Sequence, residues 1–266
     1  MDKTKKHICL VDGSTYIFRA YHALPPLTRK SDGFPVGAIS GFCNMLDKLV
    51  KEEKEKKGIT NLLVVFDASG KTFRNDIYPD YKANRSEAPE DLIPQFPVIR
   101  KATEAFNIPY VELIGYEADD LIASYSRAAQ KENMKVTIVS SDKDLMQLVS
   151  DNVSMLDTMK NKIVQKGEVY EKFGVYPEKV IDVQSLAGDS VDNIPGVPGI
   201  GIKTAALLIN EYGNLDGLFK NAESIKQKKR RENIIEFEEQ AYLSKKLVTL
   251  RDDVPLPIPI QETGLK

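Results

Sequence analysis

Gly115-Tyr116-Glu117-Ala118-Asp119-Asp120 runs straight into the apolar Leu121-Ile122-Ala123-Ser124-Tyr125, and this junction decides how the rest of the 266-residue chain is read. With a helix starting near Ala118, Glu117 and Asp120 share one face and Asp119 stands on its flank. Acids at a helix start gain roughly 0.3–1 kcal/mol from the macrodipole, yet three neighbouring carboxylates repel one another and resist leaving water. A bound cation would settle that conflict. On these six residues alone, an N-terminal cap with a solvated acidic turn is the alternative.

The same theme recurs on both sides of the junction. His7-Ile8-Cys9-Leu10-Val11 is a buried-strand run that delivers Asp12, and Asn61-Leu62-Leu63-Val64-Val65-Phe66 delivers Asp67. Downstream, Lys135-Val136-Thr137-Ile138-Val139-Ser140 leads to Asp142 and Asp144. Open α/β sheets place ligands at the carboxyl ends of their strands, and right-handed crossovers return parallel strands to one edge. The fold class is therefore α/β, with a mostly parallel sheet flanked by helices. Asp189 and Asp192 add an acidic pair in a later helical region. Two histidines and two separated cysteines supply no zinc spacing. Cys9 and Cys43 lie in apolar runs and read as buried thiols of a reducing cytoplasm. Any metal must then be a hard, oxygen-seeking ion, Mg²⁺ or Mn²⁺. Two such ions about 3.5–4 Å apart are what phosphodiester hydrolysis uses.

A net charge of -2 argues against a nucleic-acid partner, but acids gathered at one metal site leave the remaining surface more basic than the total. From Lys71 to Arg100, Arg74, Tyr78, Tyr81, Lys82 and Arg85 alternate with prolines and show no strong apolar face. This segment is a floppy surface loop or, the favoured reading, a flexible cover that orders on a phosphate-rich ligand. Arg19 is a candidate phosphate contact, His22 a packed or capping residue rather than a ligand, and Lys51 to Lys57 a solvated charged face. Val153–Leu156 and Lys162–Val164 read as an edge hairpin. Beyond Tyr176-Pro177 the chain is helical to about Lys246. Within that region Ile194-Pro195-Gly196-Val197-Pro198-Gly199-Ile200-Gly201-Ile202-Lys203-Thr204 has the helix-hairpin-helix pattern, whose backbone N–H groups can meet a phosphate. The Pro-rich end, 256–266, reads as a tail or linker. No run is apolar enough to span a membrane, and no signal-peptide core follows Met1 to Lys6.

Asp12-Gly13-Ser14 with Arg19-Ala20-Tyr21-His22-Ala23-Leu24, Val65-Phe66-Asp67-Ala68, Thr72-Phe73-Arg74, Tyr81-Lys82, Glu117-Ala118-Asp119-Asp120, Asp142-Lys143-Asp144, and Gly188-Asp189 through Asp192-Asn193-Ile194-Pro195-Gly196 closely resemble the 5'-nuclease domain of bacterial family A DNA polymerases, in the flap endonuclease superfamily. The match runs in order to about Pro255. This resemblance implies a PIN-like nuclease domain over 1–175 with a helical arch at about 71–100, and a helix-hairpin-helix subdomain over 176–255. It implies Asp12, Asp67, Glu117, Asp119 and Asp120 as ligands of the catalytic ion, with Asp142, Asp144, Asp189 and Asp192 around a second. Lys82 and Arg74 match residues that contact the scissile phosphate, and Arg19, Tyr81 and Arg85 match further DNA contacts. Gly196, Gly199 and Gly201, with Lys203 and Thr204, would hold duplex backbone, in relatives often through K⁺. The implied activity is Mg²⁺-dependent 5'-3' exonuclease and 5'-flap endonuclease action on nicked, branched or RNA-primed DNA by a bacterial, nucleoid-associated monomer. The chain stops at Lys266 where those polymerases continue, so it reads as an excised domain or a free-standing nuclease working with a polymerase. A non-catalytic junction-binding module and a PIN-type ribonuclease are the competing readings.

Overall fold

Each apolar run that ends in an acid becomes a parallel strand of one sheet. The computed structural model describes residues 6–265 apart from the side chains of residues 53–57, so part of the charged run ending at Lys57, like residues 1–5, lies outside the described residues. The first unit contains β1 (His7–Asp12), α1 (Gly13–Ala23), α2 (Gly37–Lys57), β2 (Asn61–Val65), α3 (Phe73–Ile77), α4 (Gln95–Ala105), β3 (Tyr110–Val111), α5 (Ala118–Lys131), β4 (Lys135–Val139), β5 (Val153–Asp157) and β6 (Lys162–Val164). The sheet order is β3-β2-β1-β4-β5-β6, parallel except for the antiparallel β5–β6 edge hairpin. β3 has only two residues, too few to leave a periodic signal in the sequence.

Strand alternation divides the core. Ile8, Leu10, Leu63 and Val65 pack with α5 on one face, whereas Cys9, Val11, Leu62 and Val64 pack with α1 and α2 on the other. The chain steps outward from β1 through β2 to β3, then crosses back to β4 on the opposite side of β1. The order reverses between β1 and β4, and a crevice opens there at the carboxyl ends.

Helices α6 (Lys166–Phe173), α7 (Val180–Ala187), α8 (Ile202–Tyr212), α9 (Leu215–Lys220), α10 (Lys228–Glu236) and α11 (Glu238–Val248) form the carboxyl-proximal part, in which α7 packs against both α8 and α11. Among the described residues no helix is long and apolar enough to cross a membrane.

Two segments are better ordered than their composition suggests. The expected cover holds one five-residue helix, α3, followed by turns at 79–84 and 90–94 before α4, and it is anchored rather than floppy. Leu92 is fully buried, Asn193 Nδ2 donates to Asp80 O at 2.7 Å, and Lys82 N donates to Asp192 O at 3.0 Å. Nor is the terminal stretch a loose tail. Asn61 Nδ2 donates to Thr263 Oγ1 at 3.0 Å, Tyr125 Oη donates to Ile258 O at 2.7 Å, and Leu265 N donates to Thr60 O at 2.9 Å. These bonds tie 258–265 to β2 and α5. Prolines at 255, 257 and 259 keep that stretch extended, which suits it to lie along a surface.

Candidate metal and nucleic-acid site

A cavity of about 600 Å³ opens at the strand ends, lined by Asp12, Asp67, Glu117, Asp119, Asp142, Asp144 and Asp192, with Arg19, Lys82 and Arg85 at its walls. Local structure aims each acid. Asp12 ends β1 and caps α1, with its Oδ1 accepting from Thr15 N at 3.0 Å. Its Oδ2 accepts from Thr15 Oγ1 at 2.5 Å and from Ser140 Oγ at 2.7 Å. Asp67 follows β2 and accepts from Ala118 N at 2.8 Å, so it is tied to the start of α5 beside Glu117 and Asp119. After β4, Asp142 N donates to Ser140 Oγ at 3.0 Å and Asp144 N donates to Asp142 Oδ1 at 2.9 Å. Ser140 thus bridges the Asp12 side of the pocket to the Asp142 turn. Asp144 in turn accepts from Gln184 Nε2 on α7 at 2.5 Å.

Packing this much negative charge together shows in the acidities. Burial pushes the Asp12 carboxyl up to about 6 despite the hydrogen bonds from Thr15 and Ser140, with the Asp67 charge adding to the rise. Burial, together with the Asp142 charge, pushes Asp144 up to about 7. Asp119 is held well above the carboxylate range by burial and then by the charges of Asp142, Asp12, Asp67 and Glu117, which makes it the focus of the repulsion. Side-chain cations relieve the periphery. Lys82 Nζ bonds Glu117 Oε1 and stands 3.7 Å from Asp192 Oδ2, while Arg85 forks onto Asp192 Oδ1. Lys143 Nζ meets Asp189 Oδ2 at 2.5 Å; burial would raise Asp189, but that bond and the Val191 N–H outweigh it and hold the carboxyl low.

Sequence comparison then identifies the chain. The model of the 5'-3' exonuclease N-terminal resolvase-like domain matches residues 7–174, and that of the 5'-3' exonuclease C-terminal SAM fold matches residues 175–266. The chain belongs to the 5'-3' exonuclease family. A 5'-3' exonuclease of Aquifex aeolicus is 43% identical over 261 residues, covering 98% of this chain and 86% of that protein. A DNA polymerase I of Rhizobium leguminosarum is 59% identical over 267 residues, but the chain spans only 26% of that polymerase's length. Among solved structures, the bacteriophage T5 D15 flap endonuclease in a complex with DNA and metal ions superposes with a TM-score of 0.78 at 25% identity, over 92% of this chain and 90% of that one.

In this family member not every expected site residue faces the pocket. Asp120 is fully buried and does not line the cavity, with both oxygens bonded to the Arg74 guanidinium at 2.7 and 2.8 Å. It is a structural acid, because a coordinating carboxylate needs a free lone pair directed at the ion. Arg74 stands in the cavity wall but is only 1% exposed, and its bonds to Asp120, Leu247 O and Thr249 O turn its guanidinium toward protein oxygens. Tyr81 also lines the cavity wall yet is 5% exposed, and its hydroxyl donates to Glu117 Oε2 at 3.0 Å. Asp189 does not line the cavity. Arg19 does, with its guanidinium bonded to Thr158 Oγ1 and to Thr158 O at 2.9 Å. The hairpin residues lie apart from the cavity, with Gly199, Gly201 and Lys203 exposed and Thr204 half-buried in the first turn of α8. Gly196 is buried: its N–H donates to Ser244 Oγ at 3.0 Å and its carbonyl accepts from Gln240 Nε2, so its amide is not offered to DNA.

Sequence reading missed Thr15, Ser140 and Gln184. Thr15 stands three residues after Asp12, a capping spacing that could have been recognised; Ser140 and Gln184 leave no comparable signal.

The donor set is all oxygen, as a hard divalent ion requires. Among the described residues no three acids stand grouped as a finished cage. Mg²⁺ does not need one, since it keeps several waters and takes one or two carboxylates with substrate phosphates, so a ring of acids around a shared space fits it.

Proposed function

We propose that the chain is a structure-specific 5'-3' exonuclease and 5'-flap endonuclease that hydrolyses phosphodiester bonds in nicked, branched or RNA-primed DNA with two Mg²⁺ ions, for which Mn²⁺ can substitute. The observation that carries this reading is the convergence of Asp12, Asp67, Glu117, Asp119, Asp142, Asp144 and Asp192 on one cavity walled by Lys82 and Arg85. Asp12, Asp67, Glu117 and Asp119 would hold one ion, and Asp142, Asp144 and Asp192 the other. Bound there, the ions supply an acidified water and neutralise charge on the attacked phosphate and the leaving oxygen. Lys82 and Arg85 give the scissile phosphate a cationic wall, and the phosphate competes with Glu117 and Asp192 for those side chains. The exposed Gly199, Gly201 and Lys203 track duplex backbone, with K⁺ as an aid, so that shape rather than sequence is selected. Work as a monomer beside or fused to a polymerase follows from the same reading. A labelled 5'-flap duplex incubated with protein and Mg²⁺ should be cut near the junction; binding with no cut in either Mg²⁺ or Mn²⁺ would reduce the chain to a junction-binding module.

Ion binding should also be linked to pH. Asp12 and Asp144 titrate near 6 and 7 when folded, against an ordinary 3.8, and Asp119 is raised as well. A pKa raised on folding gives stability that is complete below pH 3.8 and is lost as pH climbs through 6–7. Ions binding the deprotonated site restore what is lost. With Mg²⁺ at about 100 times its dissociation constant, the gain in Tm should reach about 5–10 °C at pH 8. At pH 5 calorimetry should find less than half of it; equal gains at both pH values would dissociate these carboxyls from the ion.

A further inference from the structure

Glu117 sits in a cradle whose three members were each expected to touch ion or DNA. Arg74, on α3, has four N–H···O contacts: Nε to Leu247 O at 2.8 Å, Nη1 to Asp120 Oδ2 at 2.7 Å, and Nη2 to Asp120 Oδ1 at 2.8 Å and Thr249 O at 3.2 Å. A fifth oxygen, Glu117 Oε2, lies 3.1 Å from Nη1. A guanidinium has five N–H groups; four are bonded to protein oxygens, and the fifth oxygen pairs with it as an ion contact. Asp120 is equally committed. Besides Arg74, its Oδ2 accepts from Glu117 N at 3.1 Å and its Oδ1 from Arg251 N at 2.9 Å. Tyr81 Oη completes the cradle on Glu117 Oε2, leaving Oε1 to face Lys82.

We infer that Arg74, Tyr81 and Asp120 are positioning residues that fix the Glu117 carboxylate at the rim of the cavity and touch neither ion nor substrate. This deepens the nuclease reading and rests on it. The cradle also joins three parts of the chain: α3 at the root of the cover, the start of α5, and residues 247–251 at the end of α11. A shift of the carboxyl-proximal helices would therefore reach Glu117 through Arg74. The planar fork is essential, because one point charge cannot hold two carboxylates and two carbonyls together.

A mutant cycle on flap cleavage separates this role from direct participation. Asp120→Asn should lower kcat about 10–100-fold, as loss of the partners behind a ligand does, with KM for the flap within about threefold of wild type. Arg74→Gln combined with Asp120→Asn should be no more than about threefold below the weaker single variant, because both act through one node. It should also melt above Asp120→Asn, which leaves a buried cation short of counter-charge. Mn²⁺ affinity by calorimetry should show the same non-additivity. Losses that multiply in kcat and in Mn²⁺ affinity would restore the direct roles and overturn the inference, as would full activity in Asp120→Asn. Tyr81→Phe removes one oxygen and no charge, so it remains informative if the buried-charge variants do not fold. It should cost about tenfold in kcat alone and nothing further in Glu117→Gln; wild-type activity, or an added loss in that background, would overturn the inference. If the wild-type chain cuts no flap, it is the nuclease reading that fails.

Discussion

Asp119→Asn should abolish flap cleavage, by about 10³-fold or more, while flap affinity stays within about threefold of wild type, since an ion contributes several kcal/mol at the transition state. The same substitution should make the metal-free protein more stable. Asp119 is where the charges of Asp142, Asp12, Asp67 and Glu117 bear together on one half-buried group, and an amide of the same shape removes that burden. Opposite signs for activity and stability are the signature of an acid kept for its work. Single-turnover cleavage, anisotropy with labelled flap and calorimetry read the three quantities on one preparation. Parallel loss of cleavage and melting temperature would instead make Asp119 a structural acid like Asp120.

Gly196→Ala should be strongly damaging although it lies outside the cavity. Gly188 and Gly196 bring two backbones into contact, with φ of +66° and +59°. A Cβ at Gly196 would lie 2.4 Å from Gly188 N and 2.6 Å from Ala187 C, and no side-chain movement can relieve backbone atoms. Backbone strain and forced overlap each cost about 1–3 kcal/mol, so Tm should fall by about 5–20 °C. Between these glycines the loop carries Asp189 and Asp192, joined by the Asp189–Ile194 bridge, so cleavage should fall with the fold. Gly199→Ala is the internal comparison. Its φ is +76°, but among the described residues an added Cβ would meet only Asn233 Nδ2 at 3.6 Å, so about 1 kcal/mol is expected. Equal melting temperatures for the two variants would contradict the close approach at Gly196.

The sheet and the convergence of its acids were legible because both rest on short-range signals: an unbroken apolar run, then an aspartate at the strand end. Orientation around a helix was not. The spacing of Glu117 and Asp120 says that they share a face, but whether both look into the cavity depends on Arg74, 46 residues away and buried by α11. Arg74, Tyr81 and Lys82 looked equivalent as basic or aromatic residues in a Pro-rich segment. All three line the cavity, but bonds to Leu247 and Glu117 bury the polar ends of the first two, whereas the Lys82 side chain keeps 25% exposure. Polar composition likewise hid the order of the cover and of the chain end, since both are held by hydrogen bonds to distant backbone rather than by an apolar stripe.

Anomalous diffraction from crystals of the protein soaked in Mn²⁺ asks most directly whether these carboxylates are a cation site. Peaks are expected in the cavity, about 2.0–2.2 Å from oxygens of Asp119 and of its neighbours among Asp12, Asp67, Asp142 and Asp144. Saturating Mn²⁺ that leaves this cavity without a peak, or that occupies only acids elsewhere on the surface, would contradict a metal-dependent nuclease at the strand ends.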